Sequence, residues 1–298
     1  MEAILEATIS PFEEMLHYEA LWALPQMTET KISGLFTHGE LPSLVASSLP
    51  DQDLSALREL IPKVESYISK EKGFSVCLNG DYQYPPRLRD ARHPVDLFYY
   101  KGDLSLLNVP SISIVGARSA GAEGKARARR LARELTEEGY AIISGLAQGI
   151  DNAGLESALS SGGMVIGVIG TPINQYYPKP TENNHLQDRI AKGHLLISQV
   201  PFYRYDHEHF RARKHYFPRR NATMSAISEA TVIVEASERS GTLTQARAAI
   251  QQQRPLFILN SCFENKAITW PKAYEKKGAI RVRTTKDILD HLTSGSEQ

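Results

Sequence analysis

Apolar residues recur at three- and four-residue intervals over the first fifth of the chain: Leu16, Leu21 and Leu24, then Ile32, Leu35 and Phe36, then Leu54, Leu57, Leu60, Ile61 and Val64. This spacing puts them on one face of successive helices. Pro42-Ser43 and Pro50-Asp51 supply breaks and caps between those helices. A small helical domain is therefore expected over residues 1–72. Residues 73–110, with Asp81-Tyr82 and Tyr84-Pro85-Pro86 followed by Leu97-Phe98-Tyr99-Tyr100, read as a connector ending in a strand. From Ser111 the pattern changes to short apolar runs alternating with amphipathic stretches, among them Gly121 to Glu138 with Ala128, Leu131, Ala132 and Leu135 on one side. Further strands are expected at Leu195 to Ser198 and Leu256 to Leu259, and helices at Leu243 to Gln252 and Thr285 to Leu292. Such alternation predicts an α/β fold over residues 111–298, a doubly wound, mainly parallel sheet of Rossmann-like type with helices on both faces.

Four of the apolar runs break into turns of glycine and small hydroxyl residues: Gly116-Ala117-Arg118-Ser119, Ser144-Gly145-Leu146-Ala147, Gly170-Thr171 and Ser240-Gly241-Thr242. Ligands of open α/β sheets bind at these carboxyl ends of strands. Backbone N–H groups of such a turn form an anion site without any side chain. Arg118 would add a charge-assisted bond to a phosphate, although an ordinary turn with a solvated arginine has the same sequence. The spacing around Gly116 is not G-x-G-x-x-G, so a nicotinamide dinucleotide is disfavoured and no cofactor is expected. Asp151 reads as a helix cap rather than an acid catalyst, since nothing adjacent offers a partner base or second carboxylate.

Charge then narrows the reading. Lys plus Arg and Asp plus Glu both number 34, so nucleic-acid binding would have to rest on a local patch. One exists between Arg204 and Asn221, where Arg204, Arg211, Arg213, Lys214, Arg219 and Arg220 alternate with Tyr205, Phe210, Tyr216 and Phe217. Guanidinium groups bind phosphates and aromatic faces stack on unpaired bases, a mixture suited to single-stranded nucleic acid. The surrounding stretch, Gln199 to Arg219, is too polar for the core and is expected to be a long irregular insertion. His207, His209 and His215 lack a completing cluster, so no metal site is expected. Cys77 and Cys262 lie far apart and lack a histidine motif, which fits a reducing cytoplasm and gives no support to covalent catalysis. Neither an export signal nor an apolar stretch of membrane-spanning length is visible.

Taken as a set, Gly116-Ala117-Arg118, Ser144-Gly145-Leu146-Ala147 with Gly149-Ile150-Asp151, Tyr177-Pro178-Lys179, Phe217-Pro218 with Arg220-Asn221, and Glu235-Ala236 with Ser240-Gly241-Thr242 resemble the DprA (Smf) family from about Phe74 onward. The resemblance implies an extended Rossmann-like domain behind a small helical domain similar to sterile-alpha-motif or helix-hairpin-helix modules. It also implies a cytoplasmic, non-enzymatic homodimer that binds and protects single-stranded DNA and loads RecA during natural transformation. As binding residues it implies Arg118, Lys179 and the Phe217-to-Asn221 loop with Arg219, Arg220 and Asn221, and the glycine turns add Gly116, Ser119, Ser144, Gly145, Gly241 and Thr242 to the expected site. Departures from the family pattern include Gly170-Thr171-Pro172, Ala222 and Ser198-Gln199-Val200.

Two other readings stay open. DprA-like proteins also occur in bacterial defence modules, which would make the chain a regulatory partner of a toxin-like protein. The chain is similar too to the LOG family of nucleotide phosphoribohydrolases at Ser240-Gly241-Thr242, but Gln245 stands where the catalytic glutamate would be. An amide cannot replace that carboxylate.

Overall fold

From Ser111 onward apolar side chains fill successive strand positions on both sides, as strands covered on both faces require. The computed structural model describes residues 9–25, 27–36, 39–89, 91, 94–176 and 182–295. Among them one sheet is formed by β1 (Ser75–Leu78), β2 (Leu97–Gly102), β3 (Ser111–Gly116), β4 (Ala141–Ser144), β5 (Val165–Ile169), β6 (Leu195–Ser198), β7 (Ala230–Glu235), β8 (Leu256–Leu259) and β9 (Ile280–Val282). The strand order is β1-β2-β6-β5-β4-β3-β7-β8-β9. Strands β3 to β9 run parallel to one another, whereas β2 pairs antiparallel with both β1 and β6, Tyr99 lying opposite Ser198. The fold is thus α/β with a mainly parallel sheet.

Period-two alternation divides each strand between two cores. Ile112 and Ile114 of β3 and Ile142 of β4 pack with Leu131 and Leu135 of the helix Ala122–Glu137 and Leu155 of the helix Ile150–Ser160. Val115 and Ile143 face the other way, toward Met224 of the helix Tyr216–Ile227 and Ala246 of the helix Thr242–Gln251. The helices Pro11–Ala23, Glu29–Leu35, Pro42–Ser47 and Asp51–Ile68 carry the three-and-four pattern. Leu21, Trp22, Val64 and Ile68 from them join the same core as Leu97 and Tyr99 of β2. Glu19 reinforces this junction. Its carboxylate accepts the amide hydrogens of Phe202 (2.7 Å) and Tyr203 (3.0 Å) and the hydroxyl of Tyr99, so it caps the helix Phe202–His207 from another part of the chain. Burial pushes this carboxyl up to about 7.

The connector contributes more than its closing strand. Ser75–Leu78 is too short for a periodic signal, yet it pairs with β2 and extends the sheet. Gln199 to Arg219 is also more regular than expected. It forms the helix Phe202–His207, a 3₁₀ turn at Ala212–His215 and the start of Tyr216–Ile227. Two of its arginines meet protein: Arg204 donates to the Trp22 carbonyl at 2.7 Å and to Glu208, and Arg213 donates to the Asp206 carbonyl at 3.1 Å while covering the Tyr205 ring. Local polarity reads as a loop when the partners that satisfy it are remote in sequence.

Candidate nucleic-acid interface

Strand β3 is the switch point of the sheet. It lies between β4 and β7, and the chain leaves β3 for the helix Ala122–Glu137 on one face but leaves β7 for Thr242–Gln251 on the other. A crevice opens where the two connections part, at the carboxyl edge. It is lined by Gly116, Arg118, Ser119, Asn221, Gly241 and Thr242. A second pocket opens in front of β4 and β5. Arg118, Phe217 and Arg220 line both and form the wall between them.

Close approach at that wall needs glycine. A Cβ on Gly170 would stand 2.7 Å from the Phe217 ring, and one on Gly145 would stand 1.8 Å from the Arg220 guanidinium. Leu146 is held at φ 57°, a left-handed conformation that costs a non-glycine residue about 1–3 kcal/mol and collects at functional sites. The side chain of Asn183 holds this turn by donating to the Leu146 carbonyl.

Arg220 is 5 % exposed. Its guanidinium donates to the carbonyls of Gly145 and of Val168 (3.0 Å) at the ends of β4 and β5, and its Nε donates to the Asn221 side chain at 2.9 Å. Burial lowers it to about 10, opposed by the nearby Asp151 carboxylate. Asp151 is buried too, and that burial raises its pKa against the pull of Arg220 and of the Ala147, Gly145 and Gly116 amides. The Gly145 amide donates to the Asp151 carboxylate at 3.2 Å. This corrects one expectation: the turn amides at Gly116 and Gly145 are directed at an internal carboxylate and are not open to a phosphate. Asp151, in the first turn of Ile150–Ser160, closes the β4 turn in addition to its helix position.

Two further expected site residues lie elsewhere. Ser144 is fully buried and donates to the Ile114 carbonyl at 2.6 Å, tying β4 to β3 below the cleft. Arg219 points to the N-terminal helices, with its Nε 3.0 Å from the Glu29 carboxylate and its guanidinium 4.4 Å from the centre of the Trp22 ring. Consecutive helical residues diverge by about 100°, so Arg219 and Arg220 cannot both face the cleft. Lys179 and the preceding Tyr177-Pro178 lie outside the described residues. Gly116, Arg118, Ser119, Phe217, Arg220, Asn221, Gly241 and Thr242 converge on the crevice, and Gly145 on the neighbouring pocket. Thr242 donates to the Gly116 carbonyl at 3.1 Å and Asn221 to that of Gly241 at 3.2 Å, so the β3 and β7 turns brace one another.

The pocket also recruits Gln148, Asn184 and Gln187, which motif reading passed over. The signal was present as an amide pair at Asn183-Asn184 followed by Gln187 one helical turn on. Gln245 is fully buried on the cleft wall, its amide 3.4 Å from the Thr231 hydroxyl. His207 stacks on Tyr203, His209 packs on Phe210 and His215 on Tyr216. Burial raises the thiols of Cys77 and Cys262, to about 12 and about 11, so neither is a ready nucleophile. Among the described residues no helix is long and apolar enough to cross a membrane.

The family model described as DNA recombination-mediator protein A matches residues 75–293, which span the sheet and every turn of the cleft. The chain belongs to the DprA family. DNA processing protein DprA of Bacillus subtilis (strain 168) is 31% identical over 245 residues, covering 81% of this chain and 80% of that protein. DprA of Streptococcus pneumoniae (strain ATCC BAA-255 / R6) is 34% identical over 229 residues, covering 76% and 77%. The crystal structure of S. pneumoniae DprA superposes with a TM-score of 0.78 at 27% identity, covering 95% of this chain and 98% of that one. The structure of DNA processing protein A from Helicobacter pylori, described as giving its single-stranded DNA binding mode, superposes with a TM-score of 0.63 at 27% identity over 76% of this chain and 98% of that one. Membership of the DprA family places the chain among proteins of DNA processing and recombination.

Proposed function

We propose that this chain binds single-stranded DNA along the carboxyl edge of its sheet and acts without cutting it, handing the strand to a RecA-type recombinase in natural transformation as a homodimer. The observation that carries this reading is the wall between the two pockets, where the Arg118 guanidinium lies 5.8 Å from the centre of the Phe217 ring. A cation for the backbone stands there beside an aromatic face for a base, the pairing that single-strand binders use. The single-stranded DNA binding described for the H. pylori relative supports the same reading. Gln245 in place of a catalytic glutamate, and an Asp151 carboxylate engaged by amides, favour binding over hydrolysis. Arg118, Ser119 and Phe217 are the contact residues in this account, while Arg220, Gly145 and Asp151 hold the shape of the site. Lys179 is retained as a further phosphate contact on the strength of the family pattern alone.

Fluorescence anisotropy with labelled single- and double-stranded oligonucleotides of one mixed sequence tests the proposal. Tighter binding of the single strand, lost on Arg118→Glu, is the expected result. Equal binding of both forms, or an unchanged affinity in the variant, would overturn it.

A further inference from the structure

The even charge of the whole chain hides an acidic domain joined to a basic one. Over residues 1–72, 12 Asp and Glu stand against 5 Lys and Arg, a net charge of −7, and the remainder of the chain, with 22 against 29, holds the compensating +7. The imbalance is sharpest at the start, where Lys31 is the only Lys or Arg before Arg58.

Exposed apolar surface coincides with this acidic end. Among the described residues six large apolar side chains are exposed, and three of them, Ile9, Phe12 and Leu44, belong to one corner of the helical domain. The Glu14 carboxylate builds that corner. It accepts the Ser43 amide at 2.8 Å and the Ser43 hydroxyl at 2.7 Å, which seats the first turn of Pro42–Ser47 against the first turn of Pro11–Ala23. Phe12 precedes Glu14 by two positions, Leu44 follows Ser43, and Ile9 leads into the cap Ser10. On the inner side of the same helices Met15, Leu16, Val45 and Ala46 already fill the core. Acidic residues stand around the exposed three: Glu13 follows Phe12, and Asp51 and Asp53 open the next helix, all of them exposed.

Apolar surface rimmed by polar groups marks a place where a protein meets a partner, and here the sign of the rim selects which. DNA, an anionic lipid surface and a second copy of this corner would each be repelled, whereas a basic surface is steered in and held in register. A few apolar side chains presented by two adjacent helix starts match the stripe of an amphipathic helix, whose anchors recur at i, i+3, i+4 and i+7.

We propose that this corner docks a basic amphipathic helix of another protein, with Ile9, Phe12 and Leu44 against its apolar stripe and Glu13, Asp51 and Asp53 facing its cations. The inference is independent of strand binding, which uses none of these residues.

The test uses the full chain and a fluorescent model peptide of about five helical turns, with leucine at i, i+3, i+4 and i+7 and lysine elsewhere. Two control peptides carry the same residues in scrambled order, or glutamate in place of lysine. Anisotropy should show the amphipathic lysine peptide binding at least about tenfold more tightly than either control, and Phe12→Ser with Leu44→Ser should remove at least about tenfold of that affinity, the scale of two lost apolar anchors. Glu13→Lys with Asp53→Lys should also weaken binding and flatten its dependence on salt; should the apolar pair unfold the domain, seen by urea unfolding, this pair decides. Equal binding of the scrambled peptide, or undiminished binding by a folded variant of either pair, would overturn the proposal. So would a folded apolar variant that binds oligo-dT differently from wild type or sediments as a smaller species, results that would assign the corner to DNA or to a second copy of the chain.

Discussion

The Arg118 guanidinium stands 5.8 Å from the centre of the Phe217 ring, and both side chains line the crevice and the amide-walled pocket alike. Arg118 comes from the turn after β3 and Phe217 from the first turn of Tyr216–Ile227, 99 positions later (217 minus 118). Their meeting is a product of the switch-point topology, which brings the carboxyl edges of β3, β4 and β5 under one helix.

This pair predicts two different losses. Phe217→Ala should weaken single-strand binding by about 1–3 kcal/mol, the cost of losing one base-stacking platform. Arg118→Glu should weaken binding to all sequences and also flatten the dependence of affinity on salt, because fewer counterions are released. Anisotropy titrations across a series of salt concentrations separate the two effects.

Arg219 provides the matched control. It faces Glu29 and Trp22 and not the cleft. Arg219→Ala should therefore leave DNA affinity within about twofold of wild type while lowering stability by about 1 kcal/mol or more through lost packing of its buried stem. A large fall in affinity with unchanged stability, seen by combining the titration with urea unfolding, would contradict its assigned place.

Gly145→Ala tests the wall from below. The added methyl group would stand 1.8 Å from the Arg220 guanidinium, which is itself held by the Gly145 and Val168 carbonyls. We expect about 1–3 kcal/mol of destabilisation from the forced displacement, measured by urea unfolding, together with weakened DNA binding as Phe217 and Arg118 shift.

Stability should fall as pH rises toward neutrality through two buried carboxyls. Burial raises Glu19 from 4.5 to about 7 and Asp96 from 3.8 to about 7. In each case the folded state holds the proton more tightly than the unfolded chain. The resulting stabilisation is complete below the unfolded values and is lost as pH climbs through about 7. Urea unfolding at a series of pH values should show this decline, and Glu19→Gln, which keeps an acceptor for Tyr99, should make it shallower. A decline of equal slope in the variant would remove Glu19 as a source.

Much of the sheet was legible because its strands are short apolar runs closed by turn residues. β6 and β8 occupy the residues that the pattern indicates, and Ala122–Glu137 agrees with its amphipathic stretch to within one residue at each end. The four glycine turns were legible as a set for the same reason. Side-chain direction was not. Sequence order puts Arg219 and Arg220 together and Ser144 beside Gly145, but helical rotation and strand alternation send the members of each pair to different surroundings. Nor could the anion-like role of Asp151 be read, since it depends on amides from β3 and β4 meeting over one helix terminus. The helices of Gln199 to Arg219 were hidden because the groups that satisfy their polar side chains, such as the Trp22 carbonyl, come from the far end of the chain.

Because Asp151 already neutralises the amides of the turns at Gly116, Gly145 and Ala147, these loops have an internal template and need no visitor to shape them. With those amides turned inward, the attraction between this edge of the sheet and a polyanion would rest on side chains such as Arg118, and would weaken as salt screens them.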